Sequence, residues 1–255
     1  MIRQQTAIMR LARPSPPYWA VRLDVAQPPV AGQFMLADFG GPLREALFPA
    51  AIDTTGFTVM VPPGHPATRL LPGAQVDLLG PSGRGFRVDN VQRLLLIGTV
   101  QMAPVLWPLL ESAPSVALVL EGPTRARMPA PDSIPPTVEL TLVTLDGSAG
   151  YLGPLEASGA TPSGMERAIP HLLDLLTWAE CACFACDAER YPALRQLILQ
   201  ARLHPAHDFA QALVHVAMPC GLGACDICRI PTHNGEKHVC KDGPVFDLLE
   251  LGNEH

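Results

Sequence analysis

The first 180 residues contain no cysteine; all seven cysteines of the chain lie after them. The N-terminal stretch MIRQQTAIMRLARPSPP carries charges where a secretory leader needs its apolar segment. A cytoplasmic protein is therefore expected, and seven thiols in a reducing compartment do not predict a disulfide framework. Clustered thiols there hold metal or sit buried. Long apolar runs are also missing. The longest uncharged stretch, between Arg93 and Glu111, is broken by Gly98, Gln101, Pro104 and Pro108. It suits a buried strand, a turn and a helix better than a membrane span. Lysine is reduced to Lys237 and Lys241, the net charge is −6, and no basic tract interleaves with aromatics. A nucleic-acid partner is excluded on that ground.

What the chain does have is a core's worth of apolar residues, 48% of 255, enough for two domains and a small third lobe. Residues 1–90 alternate in short segments such as TAIMRLARPS, YWAVRLDVA, QFMLADF, FTVMVP and QVDLLG. Turn signals at Gln27-Pro28-Pro29, Pro62-Pro63-Gly64 and Pro72-Gly73 separate them, which predicts a small antiparallel barrel. From Gln92 the texture changes. RLLLIG, SVALVLEG, VELTLVTLDG and CACFACD read as buried strands. The segment after RLLLIG, HLLDLLTWAE and YPALRQLILQAR read as helices. Strands alternating with helices predict a Rossmann-like parallel α/β domain over 91–205. Residues 206–255 are loop-rich.

That last segment carries CGLGACDICRIPTHNGEKHVC, with Cys220, Cys225, Cys228 and Cys240 spaced C-x4-C-x2-C-x11-C. A [2Fe–2S] cluster needs four thiolates converging on a small rhomb. Gly221 and Gly223 give the backbone freedom for three of them, and His233-Asn234-Gly235-Glu236 reads as the hairpin turn that returns Cys240 to Cys228. Lys237, Lys241 and Arg229 would offset the cluster's negative charge. Structural zinc and uncoordinated or disulfide-bonded thiols are the alternatives. Zinc favours paired C-x2-C knuckles, of which there is one here; C-x4-C-x2-C with a distant fourth cysteine is the plant-type ferredoxin spacing. A Rieske-like role for His215, His233 or His238 is not needed beside four thiols. Cys181, Cys183 and Cys186 fall on an expected buried strand and read as small core hydrophobes.

The cluster segment and the tail Val239-Cys240-Lys241-Asp242-Gly243-Pro244-Val245-Phe246-Asp247 resemble the electron-transfer subunit of NAD-dependent dihydroorotate dehydrogenase, in the ferredoxin-reductase superfamily. Weaker matches follow in family order: Gly32-Gln33-Phe34, Ala67-Thr68 with Pro72-Gly73, Gly80-Pro81-Ser82-Gly83-Arg84-Gly85-Phe86, and Asp146-Gly147-Ser148-Ala149-Gly150-Tyr151-Leu152-Gly153. The resemblance implies a flavin-type β-barrel (1–90), an NAD-binding-type domain (91–205) and a [2Fe–2S] lobe (206–255). It implies hydride transfer from NADH to FAD, then single electrons through the cluster to a partner subunit carrying FMN or another redox group, in a hetero-oligomer. It places FAD contacts at Phe48, Pro49, Ala50, Ala51, Ala67 and Thr68, and a nucleotide contact at Gly98.

The chain departs from the family in four places, one of them the segment before the cluster, Val214-His215-Val216-Ala217-Met218, which lacks the family's paired Glu and Arg. Phe48-Pro49-Ala50-Ala51 stands where the family has R-P-[FIL]-S, so the arginine expected on the FAD pyrophosphate is absent there; Arg44 precedes it by four positions. The turn after RLLLIG reads Gly98-Thr99-Val100-Gln101 where the family has successive glycines, and Asp187 follows Cys186 where it has glycine. Side chains at 99, 101 and 187 would crowd a nucleotide. Little or no NADH oxidation by this chain alone is expected, less than about 10 per second, the median for enzymes. A second reading is a cluster-bearing scaffold subunit that has lost FAD and NADH binding.

Overall fold

The computed structural model describes residues 4–157, 159–160, 166–167 and 172–252. The chain divides into two compact units. One comprises residues 1–86 and 214–245, the other 87–213 and 246–255.

The first unit opens with seven strands: β1 (Gln4–Ser15), β2 (Tyr18–Asp24), β3 (Phe34–Asp38), β4 (Glu45–Leu47), β5 (Ala51–Asp53), β6 (Gly56–Val61) and β7 (Gln75–Ser82). They form one sheet in the order β4-β3-β7-β1-β2-β6-β5, and every pairing is antiparallel. The alternation read in the sequence is the alternation of the sheet. Ala7 and Met9, Val21 and Leu23, Phe57, Val59 and Val61 point to one buried cluster, while the residues between them face outward. The β5–β6 turn leaves no room for a side chain at Gly56: a Cβ there would lie 2.1 Å from the carbonyl oxygen of Leu23. Backbone cannot yield as a flexible side chain can. Gly56→Ala is expected to cost roughly 2–3 kcal/mol, seen as a lower urea midpoint at unchanged slope.

The second unit begins with β8 (Arg93–Thr99), β9 (Ser115–Gly122), β10 (Val138–Thr144) and β11 (Tyr151–Leu152). A two-stranded antiparallel pair follows, β12 (Gly159–Ala160) with β13 (Glu166–Arg167), then β14 (Cys181–Ala185) and β15 (Ala210–Leu213). The main sheet runs β11-β10-β9-β8-β14-β15, with strand Val245–Asp247 beyond β15. The pairings from β11 through to β15 are all parallel. Strands β8, β9 and β14 are buried almost throughout, as expected of a parallel sheet covered on both faces. The chain steps from β8 outward to β10, then returns to β14 on the other side of β8, so the switch in strand order falls at β8.

The helices are short. Helix α1 is Leu172–Trp178 and α2 is Tyr191–Ala201. Helix α2 buries Tyr191, Leu194, Leu197 and Ile198, one helical face. Arg202 donates to the carbonyls of Leu176 and Thr177 at 2.8 Å each and to Ala179, satisfying acceptors that the end of α1 leaves open. The segment after β8 is a 3₁₀ helix, Ala103–Leu109. Pro104 suits its first turn, but Pro108 removes an interior donor and keeps it from becoming an α-helix. Cys181, Cys183 and Cys186 are all buried, as expected for core thiols. Gln211 explains one of them: its Nε2 lies 3.2 Å from Cys181 Sγ and 2.6 Å from the carbonyl oxygen of Arg87. Burial pushes the Cys186 thiol up to about 12, which leaves it unreactive.

After residue 213 the chain returns to the first unit. It forms a hairpin of β16 (Arg229–Thr232) and β17 (Gly235–His238), antiparallel, closed across His233-Asn234 as the sequence predicts. A single helical turn, α3 (Val239–Asp242), follows.

Candidate iron–sulfur site

The loop from Cys220 to Cys228 turns on left-handed backbone. Gly221 has φ +63°, Gly223 +70° and Asp226 +57°. The two glycines adopt this conformation without a Cβ penalty, and Asp226 is among the residue types that tolerate it. The hairpin then brings the fourth cysteine home, because Val239 N donates to Cys228 O at 2.9 Å and Cys240 begins the last turn. The four sulfurs meet as two linked pairs. Cys225 Sγ lies 3.3 Å from Cys220 Sγ. Cys240 interacts with Cys228 and feels the charge of Cys220. Cys228 and Cys240 are buried, Cys220 is half-buried and Cys225 is exposed.

Backbone donors surround these sulfurs. Gly223 N donates to Cys240 Sγ at 3.1 Å, and Leu222 N faces Cys220 Sγ at 3.5 Å. At Cys220, burial alone would raise the thiol. The N–H groups of Leu222, Ala224 and Cys225, with the Cys225 side chain, outweigh it and bring the thiol down to about 6. At Cys240 burial dominates, with Cys228 beside it, and the thiol is pushed up to about 12 despite the Gly223 N–H. Four soft donors with N–H groups on two of them make a donor set that fits an iron–sulfur cluster. Asp226 is not a fifth ligand, since its carboxylate pairs with His238 Nε2 at 2.6 Å. Arg229 was expected to offset the cluster's charge; its guanidinium pairs with Glu236 at 3.0 Å across the hairpin.

Several motif glycines have a structural role that their turn-like appearance conceals. A Cβ at Gly83 would fall 2.5 Å from Pro244 Cδ and 2.8 Å from the Gly243 oxygen, and one at Gly32 would fall 2.8 Å from Val245 Cγ2. Arg84 N donates to that same Gly243 oxygen at 2.5 Å. The glycines let the barrel segments and the tail after Cys240 approach closely.

The segments expected to hold FAD are only partly accessible. Pro49 and Ala50 are buried, Ala51 is exposed, and the half-buried Phe48 ring lies 6.0 Å from Phe34 and 5.6 Å from His215. This gives an aromatic face but no positive charge. Arg44 does not supply one either: it donates to the Asp77 carboxylate at 2.6 Å and to the Asp77 carbonyl at 3.1 Å. Ala67 is fully buried in the barrel core, its N–H taken by His65 Nδ1, and Thr68 Oγ1 donates to His65 O. Gly98 sits where a Cβ would meet Ala103 at 3.1 Å and the Ala185 oxygen at 3.2 Å, so packing alone accounts for it.

One charged cluster escaped the sequence reading. Arg190 NH1 and NH2 fork onto Glu121 at 2.5 and 2.8 Å, and its Nε reaches both oxygens of Glu156 at 3.1 and 3.0 Å. Glu121 is only 4% exposed at the end of β9, and its Oε2 also accepts from Leu155 N at 2.7 Å.

Comparison with known proteins bears on this geometry. Residues 215–252 match the iron–sulfur cluster binding domain of dihydroorotate dehydrogenase B. The electron transfer subunit of dihydroorotate dehydrogenase B (NAD(+)) from Geobacillus thermodenitrificans is 30% identical over 198 residues, 72% of this chain and 68% of that protein. The probable counterpart from Methanopyrus kandleri is 28% identical over 260 residues, 97% and 87% of the two chains. With the probable counterpart from Thermoplasma acidophilum, 27% identical, the match spans 63% of that protein. Among solved structures, a chain of the NADH-dependent reduced ferredoxin-NADP oxidoreductase aligns with TM-score 0.73 at 19% identity, covering 96% of this chain and 89% of that one. The ferredoxin reductase of carbazole 1,9a-dioxygenase aligns with TM-score 0.63 at 18% identity, covering 84% and 69%. The fold is thus that of ferredoxin reductases, an antiparallel barrel with a Rossmann-like domain.

Proposed function

We propose that this chain, which belongs to the family of electron transfer subunits of dihydroorotate dehydrogenase B, carries single electrons through a [2Fe–2S] cluster to or from a partner flavin oxidoreductase. The observation that supports this most directly is the meeting of Cys220, Cys225, Cys228 and Cys240 under backbone N–H donors. When bound, the cluster supplies a one-electron centre. The chain's own residues position it: the glycine loop shapes the thiol cradle, and the N–H groups on Cys220 and Cys240 favour the more electron-rich sulfur. The partner is a catalytic subunit bearing FMN or another redox group, since the relatives are named as electron transfer subunits. Pyrimidine biosynthesis in the cytoplasm is the setting this implies. Among the described residues no helix is long and apolar enough to cross a membrane.

FAD belongs to the same reading. Its support is the resemblance together with the Phe48 ring beside His215, and the residues assigned to it are Phe48, Pro49, Ala50, Ala51 and Thr68; Ala67, buried with its N–H taken, and Gly98, packed against Ala103, would serve only by shaping the segments that carry the contacts. The division of labour follows the sequence segments: 1–90 for the flavin, 91–205 for the nucleotide-type fold, 206–255 for the cluster.

Anaerobically purified protein is expected to hold about two irons and two acid-labile sulfides per chain. Zinc in place of iron, or iron without labile sulfide, would refute the reading. The visible spectrum of the same sample separates the two forms of the function. A flavin-to-iron ratio near one to two marks the flavoprotein; a cluster without flavin marks the scaffold subunit.

A further inference from the structure

In open parallel sheets, ligands lie beyond the carboxyl ends of the strands where the strand order switches. This chain has a cavity of about 320 Å³ at that position, lined by Thr99, Gln101, Glu121, Glu156, Asp187 and Arg190 among others. Its chemistry is wrong for a dinucleotide. Three carboxylates line it against a single guanidinium, and both oxygens of Glu121 and of Glu156 already engage that guanidinium. Every nitrogen of Arg190 is committed. Burial would loosen its proton, but the bonds to Glu121 and Glu156 more than offset that and hold it as a cation above its ordinary value. The element that follows β8 is no substitute for Arg190. It is the seven-residue 3₁₀ helix Ala103–Leu109, and the turn before it bears Thr99 and Gln101. A pyrophosphate would enter a cavity whose net formal charge is −2 and find no uncommitted donor cation.

We propose that Glu121 and Glu156 mask Arg190, and that this clamp determines the cavity's specificity by disfavouring phosphate-bearing dinucleotides such as NADH. Electrons then enter this chain from a donor other than a hydride carrier seated in this cavity. Removing the two carboxylate charges unmasks Arg190 and restores a phosphate ligand. The inference goes beyond electron transfer through the cluster and is tested by binding, with or without a working cluster.

The test titrates NADH into the full chain by calorimetry. The wild type is expected to show no saturation up to about 1 mM. Glu121→Gln with Glu156→Gln is expected to bind at least about tenfold tighter, a gain of about 1.4 kcal/mol. Adding Arg190→Ala to the double variant should abolish the gain. Saturable micromolar binding by the wild type overturns the proposal, as does a folded double variant that gains nothing, or a gain that persists without Arg190. If the double variant does not fold, Glu156→Gln alone carries the test. Glu156 is part-exposed, with 26% of its side chain in solvent; its neutralisation frees Nε of Arg190 and cuts the cavity's negative charge while Glu121 still holds the two terminal nitrogens, so a smaller gain of about threefold is expected, and unchanged binding refutes the clamp.

Discussion

Replacing Cys225 by alanine is expected to abolish the cluster. The purified variant should lose the paramagnetic signal of the reduced centre and most of its labile sulfide. The reason is local. Cys225 is the exposed member of the four, 3.3 Å from Cys220 Sγ. The neighbouring carboxylate, Asp226, is held by His238 and offers no replacement. Three thiols leave one iron short of a ligand, and the open position faces solvent. The control is Cys183→Ala. That thiol is fully buried in β14, so its loss should cost about 1 kcal/mol of stability through the small cavity and leave the signal intact. A Cys225→Ala protein with full signal, or a Cys183→Ala protein without it, would overturn the ligand assignment.

How much of this could be read from the sequence depends on how local each feature is. The cluster loop was legible because its determinants sit within 21 residues: the cysteine spacing, the glycines with positive φ, and a hairpin whose register is set by its turn. The sheets were legible too, since alternation marks the barrel strands and unbroken apolar runs mark the parallel ones. The helix after β8 was expected without its type. Pro108 was in view, and it is the residue that holds the segment to a 3₁₀ turn. The features that were missed join distant residues. Arg44 stands four positions before the expected arginine, and what commits it elsewhere is Asp77, 33 positions away. Glu121 and Arg190 are 69 positions apart and meet because β9 and β14, on either side of β8, both finish at the carboxyl end of one parallel sheet. Gly32 and Gly83 stand in the sequence only as motif matches, while the contacts that require them come from the tail at residues 243–245.

Leu222→Glu is expected to separate cluster from complex. Electron transfer weakens steeply with distance, so a centre that serves a second protein has to lie close to the surface that protein covers. Leu222 and Ile227 belong to the cysteine loop itself, and they are 64% and 59% exposed. Large apolar side chains at this exposure, next to a redox site, are suited to docking a partner. What Leu222 gives to Cys220 is its backbone N–H, which glutamate retains. The spectrum should therefore be unchanged. A charge placed in the centre of an interface must be desolvated without a partner, which costs about 2 kcal/mol or more, roughly thirtyfold in affinity. The variant should elute without the catalytic subunit on size exclusion while keeping its iron and sulfide. A variant that loses the cluster would mean that Leu222 packs against it as a hydrophobic shell. One that keeps both cluster and partner would place the docking surface elsewhere on the chain.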